Sequence, residues 1–133
     1  MQTEHPKIYL VEDNPVYQTL VLKQLETISQ DIQVFSKGEN FLAELEGHPP
    51  PDLVILDYHL EGTINGYDVL KLLKAMPSPP PVIFFSSNLE LTITSSILKL
   101  GIVEYIEKTI FSLSRLKEST NGVLKNFRGP VSV

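Results

Sequence analysis

The sequence contains no cysteine, which excludes disulfide bonds, thiolate metal sites and a cysteine nucleophile, and is compatible with a reducing cytoplasm. Long hydrophobic runs are missing as well. The longest, such as Leu53-Val54-Ile55-Leu56 and Val82-Ile83-Phe84-Phe85, have the length of strands and fall far short of a membrane span. The opening Met1-Gln2-Thr3-Glu4-His5-Pro6 lacks a basic stretch followed by an apolar core, so no signal peptide and a cytoplasmic location are expected. Basic charge is in deficit. A net charge of −5 argues against direct nucleic-acid binding through the phosphate backbone. The surplus acid reads either as a solvated surface or as a means of holding a cation. What is present is ordinary for a globular protein: 133 residues, 42% of them apolar and 20% charged, suffice for a single domain with a buried core and are too few for two.

Five short apolar segments alternate with stretches of helical periodicity. The expected strands are Ile8–Val11, Ile32–Phe35, Leu53–Leu56, Val82–Phe85 and Val103–Ile106. Two of them, Leu53–Leu56 and Val82–Phe85, are apolar throughout, as parallel strands buried on both faces should be. Asn14 can cap the first helix and Pro15 fits its first turn, after which Val16, Leu20, Val21, Leu25 and Ile28 form the apolar face. Later helices are marked by Phe41-Leu42 with Leu45, by Val69-Leu70 with Leu72-Leu73, and by Ile93 with Ile97 and Leu100. The last is expected over Ser112–Phe127, carried by Leu113, Leu116, Val123, Leu124 and Phe127 and weakened at Gly122. Thr92-Ile93-Thr94 gives the fourth helix poor intrinsic propensity. Pro49-Pro50-Pro51 and Pro79-Pro80-Pro81 each precede a strand and read as stiff return loops. The expected core runs from about residue 7 to 127, with 128–133 as a tail or linker stub; His5 and His48 are expected at the surface.

Strand alternating with helix in this way predicts an α/β fold: a doubly wound, five-stranded parallel sheet with right-handed crossovers and helices on both faces. Such sheets bind ligands at the carboxyl ends of their strands. The residues that converge there are Glu12-Asp13, Asp57, Ser86 and Lys108. Asp13 alone reads equally well as a helix cap or a ligand. Three carboxylates at neighbouring strand ends are harder to explain structurally, because two such charges ~5 Å apart repel by ~3 kcal/mol at an effective dielectric of about 20. A hard divalent cation such as Mg²⁺, which binds carboxylates together with phosphate oxygens, resolves the conflict. An aspartate between a metal and a lysine can then act as a nucleophile toward phosphorus.

This combination resembles the response-regulator receiver family over nearly the whole chain. The resemblance is carried by Leu10-Val11-Glu12-Asp13-Asn14-Pro15, by Leu53-Val54-Ile55-Leu56-Asp57, by Phe84-Phe85-Ser86, and by Gly101-Ile102-Val103-Glu104-Tyr105-Ile106-Glu107-Lys108. It implies the strand order 2-1-3-4-5 and a signalling switch rather than an ordinary enzyme. Asp57 would accept a phosphoryl group from a histidine kinase or histidine phosphotransfer protein. Asp13 and Asp57 would bind Mg²⁺ directly, Glu12 mainly through water, and the backbone carbonyl of His59 would be a further ligand. Ser86 and Lys108 would hold phosphoryl oxygens. Tyr105 would be the switch aromatic, read out on the face of the fourth helix, fifth strand and fifth helix by a protein target, with a homodimer possible. On its own, Tyr105 reads as a half-buried strand aromatic.

Two places depart from the family pattern. Thr109 follows Lys108 where the family usually has a cis proline; a non-proline cis bond costs ~3–4 kcal/mol, so a trans Lys108–Thr109 bond and a rearranged loop are predicted. After Asp57 the usual Met-Pro is replaced by Leu60-Glu61-Gly62, and Gly66 comes about one residue late. The alternative reading is a receiver-like interaction module that binds partners without phosphorylation. The intact acid pair, Asp57, Ser86 and Lys108 argue against it.

Overall fold

The central strands form where the sequence is apolar on both faces, and the computed structural model, which describes residues 6–128, assembles five strands into one sheet. In chain order the elements are β1 (Lys7–Val11), α1 (Pro15–Leu25), β2 (Asp31–Phe35), α2 (Gly38–Leu45), β3 (Leu53–Leu56), α3 (Gly66–Lys74), β4 (Val82–Ser86), α4 (Leu91–Leu100), β5 (Glu104–Glu107) and α5 (Leu113–Arg128). The sheet order is β2-β1-β3-β4-β5, all parallel, which is the predicted order. His5, the side chain of Phe127 and the stub 129–133 lie outside the described residues.

Successive side chains along a strand point to opposite faces, so each central strand feeds two cores. Ile8, Leu10, Ile55, Ile83 and Phe85 pack with Val21 and Leu25 of α1 and with Leu113, Leu116 and Leu124 of α5. Tyr9, Val11, Val54, Leu56 and Phe84 face Phe41 of α2, Val69, Leu70 and Leu73 of α3, and Ile97 of α4. Asn14 caps α1 as predicted, its Oδ1 accepting from the amides of Val16 (2.9 Å) and Tyr17 (3.3 Å). The proline triplets occupy the loops before β3 and β4, where the Pro81 carbonyl accepts from Val54 N–H at 3.0 Å.

Several expectations need correction. β5 starts one residue later than predicted and ends one later, because Val103 is 47% exposed and lies outside the strand while Glu104 and Glu107 lie in it. β5 is an edge strand, and edges carry charge that an apolar-run criterion passes over. Val16 (62% exposed) and Leu72 (52%) fit the apolar period of their helices but face outward. The last helix begins at Leu113 and reaches Arg128, with a 3₁₀ turn over Ile110–Ser112 before it. α4 keeps its β-branched first turn and has no side-chain hydrogen bond at its N-terminal cap, Glu90.

Candidate functional site

Parallel pairing brings every strand's carboxyl end to the same edge of the sheet. Val11 pairs with Leu56, so the residues that follow, Glu12 and Asp57, become neighbours. The Asp57 amide donates to the Val11 carbonyl at 3.0 Å, and the Lys108 amide donates to the Ser86 carbonyl at 2.7 Å. The backbone itself therefore sets the spacing of four predicted residues. Glu12, Asp57 and Ser86 are buried, which places charged groups where an unpartnered charge would be costly.

The site contains its own cation. Lys108 Nζ lies 2.7 Å from Asp57 Oδ2 and 2.9 Å from Glu12 Oε1, and donates to Glu12 Oε2 at 3.1 Å. The Tyr17 ring lies 4.8 Å from the same ammonium. The other Asp57 oxygen, Oδ1, accepts from Ser86 Oγ at 2.5 Å and from the Tyr58 amide at 2.7 Å. Glu12 Oε2 also accepts from the Asn14 amide at 3.0 Å. Carboxylate oxygens of Glu12, Asp13 and Asp57 all lie within 4.8 Å of one another, an arrangement able to hold a metal ion.

Charge crowding is visible in the proton affinities. Burial, then the Asp57 carboxylate, lifts Glu12 from 4.5 to about 7, despite the opposing pull of Lys108 and the Asn14 amide. Asp13 is raised by the same two causes in the same order, and the Glu61 carboxylate adds to the effect. Burial works against the charged form of Lys108, but hydrogen bonds to Asp57 and Glu12 outweigh it and raise its pKa. A site that favours added positive charge at its acids is one prepared for a cation.

The two atypical segments take definite shapes. No cis peptide bond occurs among the described residues, so Lys108–Thr109 is trans as predicted. Thr109 instead caps the 3₁₀ turn: its hydroxyl accepts from the Phe111 and Ser112 amides at 3.2 and 3.1 Å, while Ser112 Oγ accepts from the Thr109 amide at 2.9 Å. After Asp57 the chain runs along the β2–α2 connection, where Glu61 N–H donates to the Ser36 carbonyl at 3.2 Å. Gly66 then returns to the site and donates from its amide to the Tyr58 carbonyl at 2.8 Å.

His59 sits in the bend after Asp57 with an exposed side chain, its imidazole edge-on to the Tyr58 ring at 5.0 Å. Tyr105 is half-buried in β5; its ring stacks on Phe84 at 5.8 Å and its hydroxyl donates to the Ser87 carbonyl at 2.9 Å. Burial raises the Tyr105 pKa. The sequence reading missed Gln18, whose side-chain amide donates to the Glu12 carbonyl at 2.6 Å and to Ser36 Oγ at 3.2 Å. It also missed Tyr17. Their positions just after the acid pair, on the first turns of α1, were the available signal.

Residues 8–121 match the response regulator receiver domain, and the chain belongs to that family. It is a switch operated by phosphorylation of an aspartate. Among curated proteins it is similar to the transcriptional regulatory protein CssR of Bacillus subtilis, 40% identical over 102 residues, covering 76% of this chain and 44% of CssR. It is also similar to the peroxide stress-activated histidine kinase mak3 of Schizosaccharomyces pombe, 26% identical over 109 residues, covering 77% of this chain and 5% of the kinase. The chain thus spans less than half the length of these relatives. Among solved structures it is similar to the phosphorylated cyanobacterial phytochrome response regulator RcpA (TM-score 0.77, 27% identity, 94% of this chain and 95% of that one). The signal receiver domain of a putative Luxo repressor protein from Vibrio parahaemolyticus is a further match (TM-score 0.81, 27% identity, 92% of both chains). No helix among the described residues is long and apolar enough to cross a membrane.

Proposed function

We propose that Asp57 is the phosphoacceptor of this receiver and that the phosphoryl group comes from a phosphohistidine on a histidine kinase or histidine phosphotransfer protein. One observation carries this reading. The buried Asp57 carboxylate accepts from Lys108 at one oxygen (2.7 Å) and from Ser86 at the other (2.5 Å), with the carboxylates of Glu12 and Asp13 beside it. In the transfer an Asp57 oxygen forms a bond to phosphorus as the bond from phosphorus to the histidine nitrogen breaks, and that nitrogen keeps the electron pair. Lys108 and the Ser86 hydroxyl, both bonded to Asp57, would take two of the phosphoryl oxygens, which is charge stabilisation at the reacting centre.

The donor set fits Mg²⁺, because the carboxylate oxygens of Glu12, Asp13 and Asp57 lie within 4.8 Å of one another. Asp13 and Asp57 would be its direct ligands, Glu12 would act through water, and the His59 carbonyl would complete the protein's share. When bound, the ion supplies charge neutralisation on the phosphoryl oxygens. We assign Tyr105 as the aromatic that follows Ser86 and reports phosphorylation to the α4–β5–α5 face, where a protein target or a second copy of the chain binds. The test is incubation with acetyl phosphate and Mg²⁺, read by intact-protein mass. Addition of one phosphoryl group is expected, and Asp57→Asn should abolish it with the circular dichroism spectrum unchanged. A natively folded wild type that takes no label would leave the non-phosphorylated interaction module as the better reading.

A further inference from the structure

We propose that Glu39, on the first turn of α2, is a positioning residue that clamps the loop after Asp57 in the register needed for cation binding. This rests on the Mg²⁺-dependent reading of the site given above. Glu39 Oε2 accepts from both the amide (2.8 Å) and the hydroxyl (2.7 Å) of Thr63, a two-point grip between residues 24 apart in sequence. The approach is close. A Cβ at Gly62 would lie 2.6 Å from Glu39 Oε1, and Gly62 has φ +92°, so only glycine passes here without strain. Immediately upstream the backbones are paired as well, with Lys37 bridging to Glu61 and the Glu61 amide on the Ser36 carbonyl.

The grip is linked to the acid pair. Ser36, which receives the Glu61 amide on its carbonyl, receives on its hydroxyl the Gln18 amide group that also bonds the Glu12 carbonyl. A loop of this kind, running from Tyr58 to Asn65 with no proline and a left-handed glycine, has much backbone freedom to lose on ordering. Glu39 removes that freedom at the middle of the loop, while the capping box of Asn65 and Asp68 fixes its far end. The two Thr63 hydrogen bonds, hydroxyl first, hold the Glu39 carboxyl down to about 2, so the clamp stays charged throughout the neutral range. An acid in the first turn of a helix is also favoured by the helix dipole, a purely structural role. The two roles separate in the experiment.

The rate of Asp57 labelling by acetyl phosphate is measured against Mg²⁺ concentration, and Mg²⁺ binding without phosphodonor by isothermal titration calorimetry, for wild type, Glu39→Ala, Glu39→Gln, Thr63→Val and the Glu39→Ala/Thr63→Val pair, with melting temperatures alongside. Loss of an outer support of a metal site typically weakens metal binding by ~10–100-fold. Glu39→Ala is expected to raise the half-saturating Mg²⁺ about tenfold, the low end of that range, with the rate at saturating Mg²⁺ retained. Glu39→Gln, which keeps an acceptor oxygen, should restore most of the affinity, and the double variant should be no weaker than Glu39→Ala alone. An unchanged half-saturation in Glu39→Ala overturns the proposal, as does a fall in the saturated rate that tracks melting temperature. A wild type that labels and binds Mg²⁺ normally beside an unmoved Glu39→Ala defeats the clamp alone. A folded wild type that does neither defeats the reading of the site and the clamp with it.

Discussion

Gly66→Ala puts one methyl group where the structure has no room for it. The added Cβ would lie 2.1 Å from the Asp57 carbonyl oxygen, 2.8 Å from Tyr58 Cα and 2.9 Å from the Asp57 carbonyl carbon. These are backbone atoms, so no rotamer change relieves the contact, and either α3 or the end of β3 must retreat by roughly an ångström. Overpacking of this kind costs ~1–3 kcal/mol, and the upper end applies where the obstacle is backbone. The retreat also breaks the hydrogen bond from Gly66 N–H to the Tyr58 carbonyl, now 2.8 Å. With an unfolding entropy of ~2.1 cal/mol/K per residue, ~3 kcal/mol lowers the melting temperature of a chain this size by roughly 10 °C. Because the displaced atoms belong to Asp57 itself, the rate of acetyl phosphate labelling should fall in the same variant at a temperature where it remains folded. Calorimetry gives the first quantity and intact mass the second. A melting temperature within ~3 °C of wild type, with labelling unimpaired, would show that the glycine is not required by this contact.

Other outcomes follow from the charges. In the presence of a chelator, stability should fall as pH rises from 5 to 8. Glu12 binds its proton more tightly folded (about 7) than unfolded (near 4.5), so its contribution is complete below 4.5 and lost as pH rises through about 7. Asp13, also raised, acts in the same sense, whereas the lowered carboxyls of Glu39 and Glu104 contribute fully above the usual carboxylate range and leave the slope alone. A melting temperature that climbs with pH over this interval would contradict the reasoning, and Mg²⁺ should flatten the slope. Lys108→Met should destabilise the chelated protein by ~3–5 kcal/mol at pH 8, the usual cost of stranding a buried charge, and by less at pH 5.5 where Glu12 can take a proton. Chemical denaturation at the two pH values checks this; equal losses at both would refute it.

The parts of the site that could be read in advance are those written locally. Leu53–Leu56 is buried on both faces, so its apolar run ends where the sheet ends, and Asp57 is the next residue. The same holds for Glu12 after Val11 and Ser86 at the close of β4. β5 fails the criterion because both faces of this edge strand are only partly covered: Ile106 is buried on one and Tyr105 half-buried on the other, between two glutamates. Val16 and Leu72 fit a helical period and yet face outward, since period alone does not say where an apolar stripe stops. The Glu39–Thr63 grip has no local signature at all; it depends on the first turn of α2 meeting the loop after β3. Gly66 is intermediate. Its shift by one residue from the usual family position is plain in the sequence, but only the contact with the Asp57 carbonyl shows that the shifted glycine still meets a steric need.

Counting charges alters the reason a metal is required. From sequence, three carboxylates at neighbouring strand ends called for a cation merely to coexist. In the folded chain Lys108 already meets two of them, Asp57 and Glu12, at 2.7 and 2.9 Å, while Asp13 has no cation within ion-pair distance among the described residues. One ammonium against three acids leaves the cluster negative but tolerable, helped by the high proton affinity of Glu12. Phosphorylation changes the balance, because the modified aspartate carries a charge of about −1.5 to −2. Lys108 cannot serve the incoming phosphoryl oxygens and Glu12 equally well. Drawn toward phosphorus, it leaves Glu12 with the Asn14 amide as its remaining hydrogen-bond donor. On the proposed mechanism the divalent ion is therefore needed more by the transfer than by the fold. That is consistent with a site whose acids are held together by a lysine before any metal arrives.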